Sequence, residues 1–125
     1  MAERRLLESG SMAMNTTYAA AEPTPGEVQA LAGPTVIEFG TPWCGYCRAA
    51  QGPIAAAFAD HPQVRHLKIE DGPGRPLGRS FRIKLWPTLV FLADGREVAR
   101  VVRPWSEQEL RDAFSLQANA ARGAG

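Results

Sequence analysis

Cys44 and Cys47 are the only cysteines in the chain and lie two residues apart, in Trp43-Cys44-Gly45-Tyr46-Cys47. A thiolate at Cys44 that attacks a disulfide becomes linked to it, and a second thiol within the same turn of backbone can break that link. Such a pair accepts or donates two electrons with no bound cofactor. An inert crosslink and half of a zinc site are the competing readings. Zinc needs about four ligands, and the other candidates, His61, His66 and scattered carboxylates, have unsuitable spacing. No metal is therefore expected, and both histidines read as surface residues. Glu38 is the other residue out of keeping with its neighbours, Ile37 and Phe39. A charged carboxyl there is costly to bury, so its pKa is expected to be raised. A half-exposed strand glutamate is the alternative.

The groups need elements to hold them. Thr24-Pro25-Gly26-Glu27 combines a cap, a proline at the first helical position and a capping-box glutamate, and predicts a short helix to Ala32, stopped by Gly33-Pro34. The run from Thr35 to Phe39 predicts a buried strand, broken by Gly40-Thr41-Pro42. Alanine-rich sequence from Cys47 to about Asp60 predicts a helix that Pro53 should kink. Val64 to Ile69 predicts a strand parallel to the first, reached through that helix. A short helix over 76–81 precedes a strand from Thr88 to Leu92. The turn Ala93-Asp94-Gly95-Arg96 then leads into a strand from Glu97 to Val102, an antiparallel hairpin. Ser106 with Glu109 opens a last helix to about Leu116.

The expected fold is α/β: a mixed central β-sheet, with a parallel β-α-β unit plus a C-terminal antiparallel hairpin, flanked by helices on both faces. Residues 23–117 form the domain. Residues 1–22, with possible starts at Met12 and Met14, and residues 118–125 read as mobile tails.

A chain of 125 residues suits one such domain. Its net charge of +1 sets up no field of one sign, so neither nucleic acid nor an anionic membrane is an expected partner. No apolar run is long enough to span a bilayer. The stretch 12–21 is interrupted by Asn15, Thr16 and Thr17 and makes a poor signal core. Two cysteines are too few for a small secreted scaffold. A cytoplasmic location is the default expectation.

Val36-Ile37-Glu38-Phe39, the Trp43–Cys47 motif, Lys68, Trp86-Pro87-Thr88 before a strand and the Asp94-Gly95 hairpin together resemble the thioredoxin family, over roughly Thr24 to Leu116. The resemblance implies a thiol–disulfide oxidoreductase that reduces protein disulfides. Cys44 would be the nucleophile, its thiolate supported by unpaired backbone donors at a helix N-terminus. Cys47 would resolve the mixed disulfide. Glu38 would accept the Cys47 proton through water, with Lys68 as its neighbour; a plain surface lysine is the other reading. Pro87 would be cis and lie against the cysteine pair, turning the Trp86 backbone toward an extended substrate. A trans proline starting a strand is the alternative. Trp43, Gly45, Tyr46, Trp86, Pro87 and Thr88 would dock the substrate, and Trp105 is core or rim.

Implied partners are disulfide-containing proteins and an external reductant, such as a thioredoxin-reductase-like enzyme or glutathione, for a chain that acts as a monomer without a cofactor. An oxidase or isomerase of an exported compartment, or a thioredoxin-fold binding module without significant catalysis, are the alternatives. Three departures from the family pattern stand out: Gly-Tyr between the cysteines, Gly40 where the family has an aromatic residue, and Arg103-Pro104 where it has glycine. Pro53 also falls one place later than the family's helix-kinking proline. The Gly-Tyr pair leads us to expect a reduction potential less reducing than the thioredoxin value of about −270 mV.

Overall fold

The computed structural model describes residues 14–124; residues 1–13 of the expected tail lie outside the described residues. Strand β1 (Pro34–Gly40) is buried on both faces and runs through the middle of the sheet. It pairs in parallel with β2 (Arg65–Glu70) and antiparallel with β3 (Thr88–Ala93), which pairs antiparallel with β4 (Arg96–Val102). The sheet order is β2-β1-β3-β4. Helix α2 (Gly45–Phe58) is the crossover between the parallel strands, as a parallel connection requires.

Alternation along the strands sorts side chains into two cores. Val36, Leu89 and Phe91 face α2 and α4 (Glu107–Ala124), where they meet Ile54, Phe58 and Phe114. Ile37, Phe39, Val90 and Leu92 face the other way, onto Val28 of α1 (Pro25–Gln29) and Leu77 of α3 (Pro76–Ser80). Phe114 meets both Phe58 and Phe91 edge-on, at 5.1 and 5.0 Å between ring centres. Helices therefore cover both faces of a mixed sheet, as expected.

Local chemistry sets the ends. Thr24 forms both halves of its capping box with Glu27. Helix α1 stops at Gln29 rather than Ala32, because its last turn tightens: the Leu31 amide bonds to Val28, three residues back. Asp94 and Gly95, at φ 50° and 79°, make a two-residue hairpin turn. Helix α4 continues to Ala124, past the expected end near Leu116. Its buried Gln117 explains this, donating to the carbonyls of Thr35 (3.0 Å) and Leu92 (2.8 Å) and so tying the extra turns to the sheet. At the other end of α4, the Glu109 carboxylate accepts the amides of Trp105 and Ser106.

Residues 14–22 do not behave as a free tail. The Ala19 amide donates to Lys68 O at 2.8 Å, along the outer edge of β2. Glu22 accepts the Leu77 amide at the start of α3.

Candidate active site

Strand β1 ends at Gly40, and Thr41-Pro42-Trp43 carries the chain to Cys44, the N-cap of α2. Cys44 has extended backbone, and its Sγ accepts the Cys47 amide N–H at 3.1 Å. The sulfur stands where a capping oxygen normally sits, at the positive end of the helix. Both thiols are free. Cys47 is buried one turn in, and burial pushes its thiol up to about 12. Its hydrogen bond with Cys44 and the nearby Glu38 charge act in the same direction, against an opposing bond from the Thr41 backbone.

Beneath Cys47 lies a polar floor built by strand register. Glu38 on β1 stands opposite Lys68 on β2, and Val36 stands opposite His66. Alternate residues share a face, so Glu38, His66 and Lys68 all lie on the α2 side. Glu38 is 0% exposed, and its Oε1 meets His66 Nε2 at 3.0 Å. Its Oε2 accepts Gln51 Nε2 at 2.9 Å and lies 3.7 Å from Lys68 Nζ. Gln51 also donates to the Cys47 carbonyl and accepts from Lys68.

Two expectations are corrected here. His66 is not on the surface; it is 0% exposed. The Asn15 amide donates to its Nδ1 at 2.7 Å, which leaves Nε2–H to donate to Glu38. The Glu38 carboxyl is not raised. Burial alone would raise it, but the His66 hydrogen bond, the Lys68 ammonium and the Gln51 amide outweigh burial and hold it below the usual carboxylate value. His61 is half-buried, its ring stacked on Phe114 at 4.0 Å.

The glycine at position 40 acquires a reason. A Cβ there would lie 2.6 Å from Cys47 Sγ and 3.0 Å from the Tyr18 hydroxyl, so side chains from two other segments fill that space. Lys68 Nζ lies over the Tyr18 ring, 5.0 Å from its centre.

The rim is aromatic. The Trp86–Pro87 bond is cis. Trp43, 68% exposed, packs edge-on against Trp86 at 5.5 Å. Trp86 Nε1 donates to Asp71 Oδ2 at 2.8 Å, and a Cβ on Gly78 would come within 1.9 Å of that carboxylate's other oxygen. The Thr88 hydroxyl donates to Leu85 O at 2.7 Å. Trp105 is 86% exposed and belongs to the rim rather than the core. The Trp86 carbonyl, expected to be open to substrate, accepts Arg103 Nε at 2.8 Å. The Arg103 guanidinium also lies over the Tyr46 ring at 4.0 Å, reached from a backbone φ of 48°. Tyr46, Pro53, Arg103 and Trp105 line a small cavity of about 110 Å³.

The sequence model of the thioredoxin family matches residues 18–115. The chain belongs to the thioredoxin family. Thioredoxin 2 from Pseudomonas aeruginosa, solved in its reduced form, is 62% identical; the match covers 85% of this chain and 99% of that one, at a TM-score of 0.76. Thioredoxin from Chlamydia trachomatis is 35% identical over 71 residues, 56% of this chain and 69% of that protein. Thioredoxin H-type 1 of Nicotiana tabacum is 33% identical over 73 residues, and the match spans 58% of each. With its Cys-x-x-Cys pair intact, this thioredoxin-family chain is a thiol–disulfide oxidoreductase.

The sequence alone assigns no role at the site to Tyr18, Gln51, His66, Asn15 or Arg103. A signal existed for two of them. Gln51 follows Cys47 by four residues, hence on the same helix face. His66 has the same strand parity as Lys68. Among the described residues, no group of three or more His, Cys, Asp and Glu side chains is placed to hold a metal ion, and no helix is long and apolar enough to cross a membrane.

Proposed function

We propose that this chain reduces disulfide bonds in other proteins by dithiol exchange. The observation that carries the reading is the Cys47 amide held against Cys44 Sγ at the head of α2, with the second thiol buried one turn below. An amide donor and a helix N-terminus stabilise negative charge on the sulfur that attacks first. Cys44 attacks one sulfur of the substrate disulfide, and the other leaves as a thiolate that takes a proton from water. Cys47 then attacks Cys44, the mixed disulfide breaks, and the substrate leaves with two thiols while the pair is oxidised.

Cys47 must lose its proton for that second step. Glu38 receives it through water, and neutralising the carboxylate removes the charge that opposed a thiolate at Cys47. Lys68 and His66 hold Glu38 in place. Trp43, Gly45, Tyr46, Trp86, Pro87 and Thr88 dock the substrate, which displaces Arg103 from the Trp86 carbonyl to pair with it. The chain works as a monomer in the cytoplasm, without a cofactor, and an external reductant such as a thioredoxin-reductase-like enzyme or glutathione resets the pair.

Turbidity of insulin, as its interchain disulfides are reduced, tests the reading. The wild-type chain should catalyse it and Cys44→Ser should not; a Cys44→Ser chain as active as wild type would sink the proposal. Equilibration with glutathione buffers should place the potential above about −270 mV. A value at or below that would leave reduction standing and remove the argument from Gly45-Tyr46.

A further inference from the structure

Residues 14–22 bring to the site a group that the dithiol motif does not contain. The Ala19 amide holds the segment to the edge of β2, Asn15 grips His66, and Lys68 lies over the Tyr18 ring. Between those anchors Tyr18 reaches across the outer strand to the space above Gly40. Its hydroxyl and Cys47 Sγ crowd the same point, 3.0 and 2.6 Å from where a Cβ on Gly40 would lie. Tyr18, Thr41, Cys47, Gln51 and Lys68 line one cavity of about 630 Å³.

The other polar groups beneath Cys47 are already engaged. Glu38 Oε1 accepts from His66, and Oε2 accepts from Gln51 and faces Lys68. Gln51 spends its two N–H bonds on Glu38 and on the Cys47 carbonyl. None of these side-chain donors is bonded to the sulfur, which is left with the Thr41 backbone. A buried thiol that must become a thiolate to attack needs donors aimed at it, since a hydrogen bond to the charged form favours that form.

We infer that the Tyr18 hydroxyl is a catalytic hydrogen-bond donor to Cys47 in the resolving step. As the Cys47 proton passes through water to Glu38, Tyr18 Oη–H donates to the developing sulfur anion. The Cys47 Sγ–Cys44 Sγ bond forms, the bond from Cys44 to the substrate sulfur breaks, and its electron pair leaves on that sulfur, which takes a proton from water. Tyr18 remains a phenol throughout. Burial and the neighbouring Cys47, Glu38 and Cys44 hold its hydroxyl above the ordinary tyrosine value, so it acts as a donor and not as a base. The inference rests on the proposed order of attack and assigns a residue to its second half.

Tyr18→Phe removes the hydroxyl and keeps the ring under Lys68. In single-turnover reaction with a peptide disulfide, quenched by acid, formation of the Cys44 mixed disulfide should keep its wild-type rate. Its resolution should slow by about ten-fold or more, the range for a hydrogen bond to a charged group. Resolution at the wild-type rate overturns the inference, and so does an equal slowing of both steps, which is what a merely structural role gives. If the wild-type chain forms no mixed disulfide, the proposed function fails instead. The donor is then judged separately in a Cys44→Ser background, by the rate at which iodoacetamide alkylates Cys47. Adding Tyr18→Phe should lower that rate several-fold, and an unchanged or faster rate overturns the inference.

Discussion

Cys44 and Cys47 belong to one turn of α2, yet their surroundings share almost nothing. Around Cys44 lie the end of a helix, a backbone amide aimed at its sulfur, and a rim of Trp43, Tyr46 and Trp86 that solvent reaches. Around Cys47 lie a buried carboxylate, a lysine, a histidine, a glutamine and a tyrosine, most of them bonded to one another. Backbone polarity provides for the first sulfur, whereas side chains drawn from β1, β2, α2 and the segment 14–22 provide for the second. In the proposed mechanism, attack thus draws on a feature that any helix start offers, and resolution draws on side chains gathered from four separate segments. Substitutions that spare the first and disturb the second should therefore separate the two half-reactions.

The largest contrast is expected in alkylation of the reduced chain. With a thiol near 12, Cys47 at pH about 8 should react on the order of a thousand-fold more slowly than a free cysteine. Mass spectrometry after brief iodoacetamide treatment should find Cys44 modified and Cys47 intact. Comparable labelling of both would erase the contrast.

Next comes the floor itself. Glu38→Ala leaves Lys68, only 6% exposed, without its counter-charge and His66 without its acceptor. Breaking a buried pair in this way costs about 3–5 kcal/mol, to be read from urea unfolding of the reduced chain. The same carboxyl predicts a pH dependence. Its folded pKa lies below the unfolded value of about 4.3. Its stabilisation is therefore present above that pH and is lost as the pH falls through the folded value. Glu38→Gln should flatten that acid limb; a limb unaltered by the substitution would assign it to other groups.

The smallest effect belongs to the rim. Arg103→Ala frees the Trp86 carbonyl, and one hydrogen bond of about 0.5–1.5 kcal/mol corresponds to a two- to ten-fold rise in kcat/KM for a protein disulfide. Cys47 alkylation should not change. A fall in kcat/KM would mean that Arg103 contacts the substrate itself.

Much of the fold was legible because strand alternation, the Thr24 box and the Asp94-Gly95 turn are local signals, and each found its element in place. The first sulfur's setting was legible for the same reason: a helix start is written within a few residues. The second sulfur's setting was not. Glu38 read as a carboxyl raised by burial because nothing near it in sequence announces His66, which is brought in by the parallel register of β1 and β2. Tyr18 and Asn15 lie in a stretch without period, and that stretch finds its place through long-range bonds to β2 from Asn15 and Ala19. Helix α4 likewise outran its expected end because Gln117 meets carbonyls of two distant strands.

The contact between Asp71 and Gly78 reaches further than its position suggests. Any side chain at 78 evicts the carboxylate that steadies the Trp86 indole. A methyl group buried in a five-residue helix on the far side of the sheet from Cys47 would then loosen one wall of the docking rim while both thiols kept their chemistry. In the proposed docking, selectivity would thus respond to a buried glycine that lies outside the rim itself.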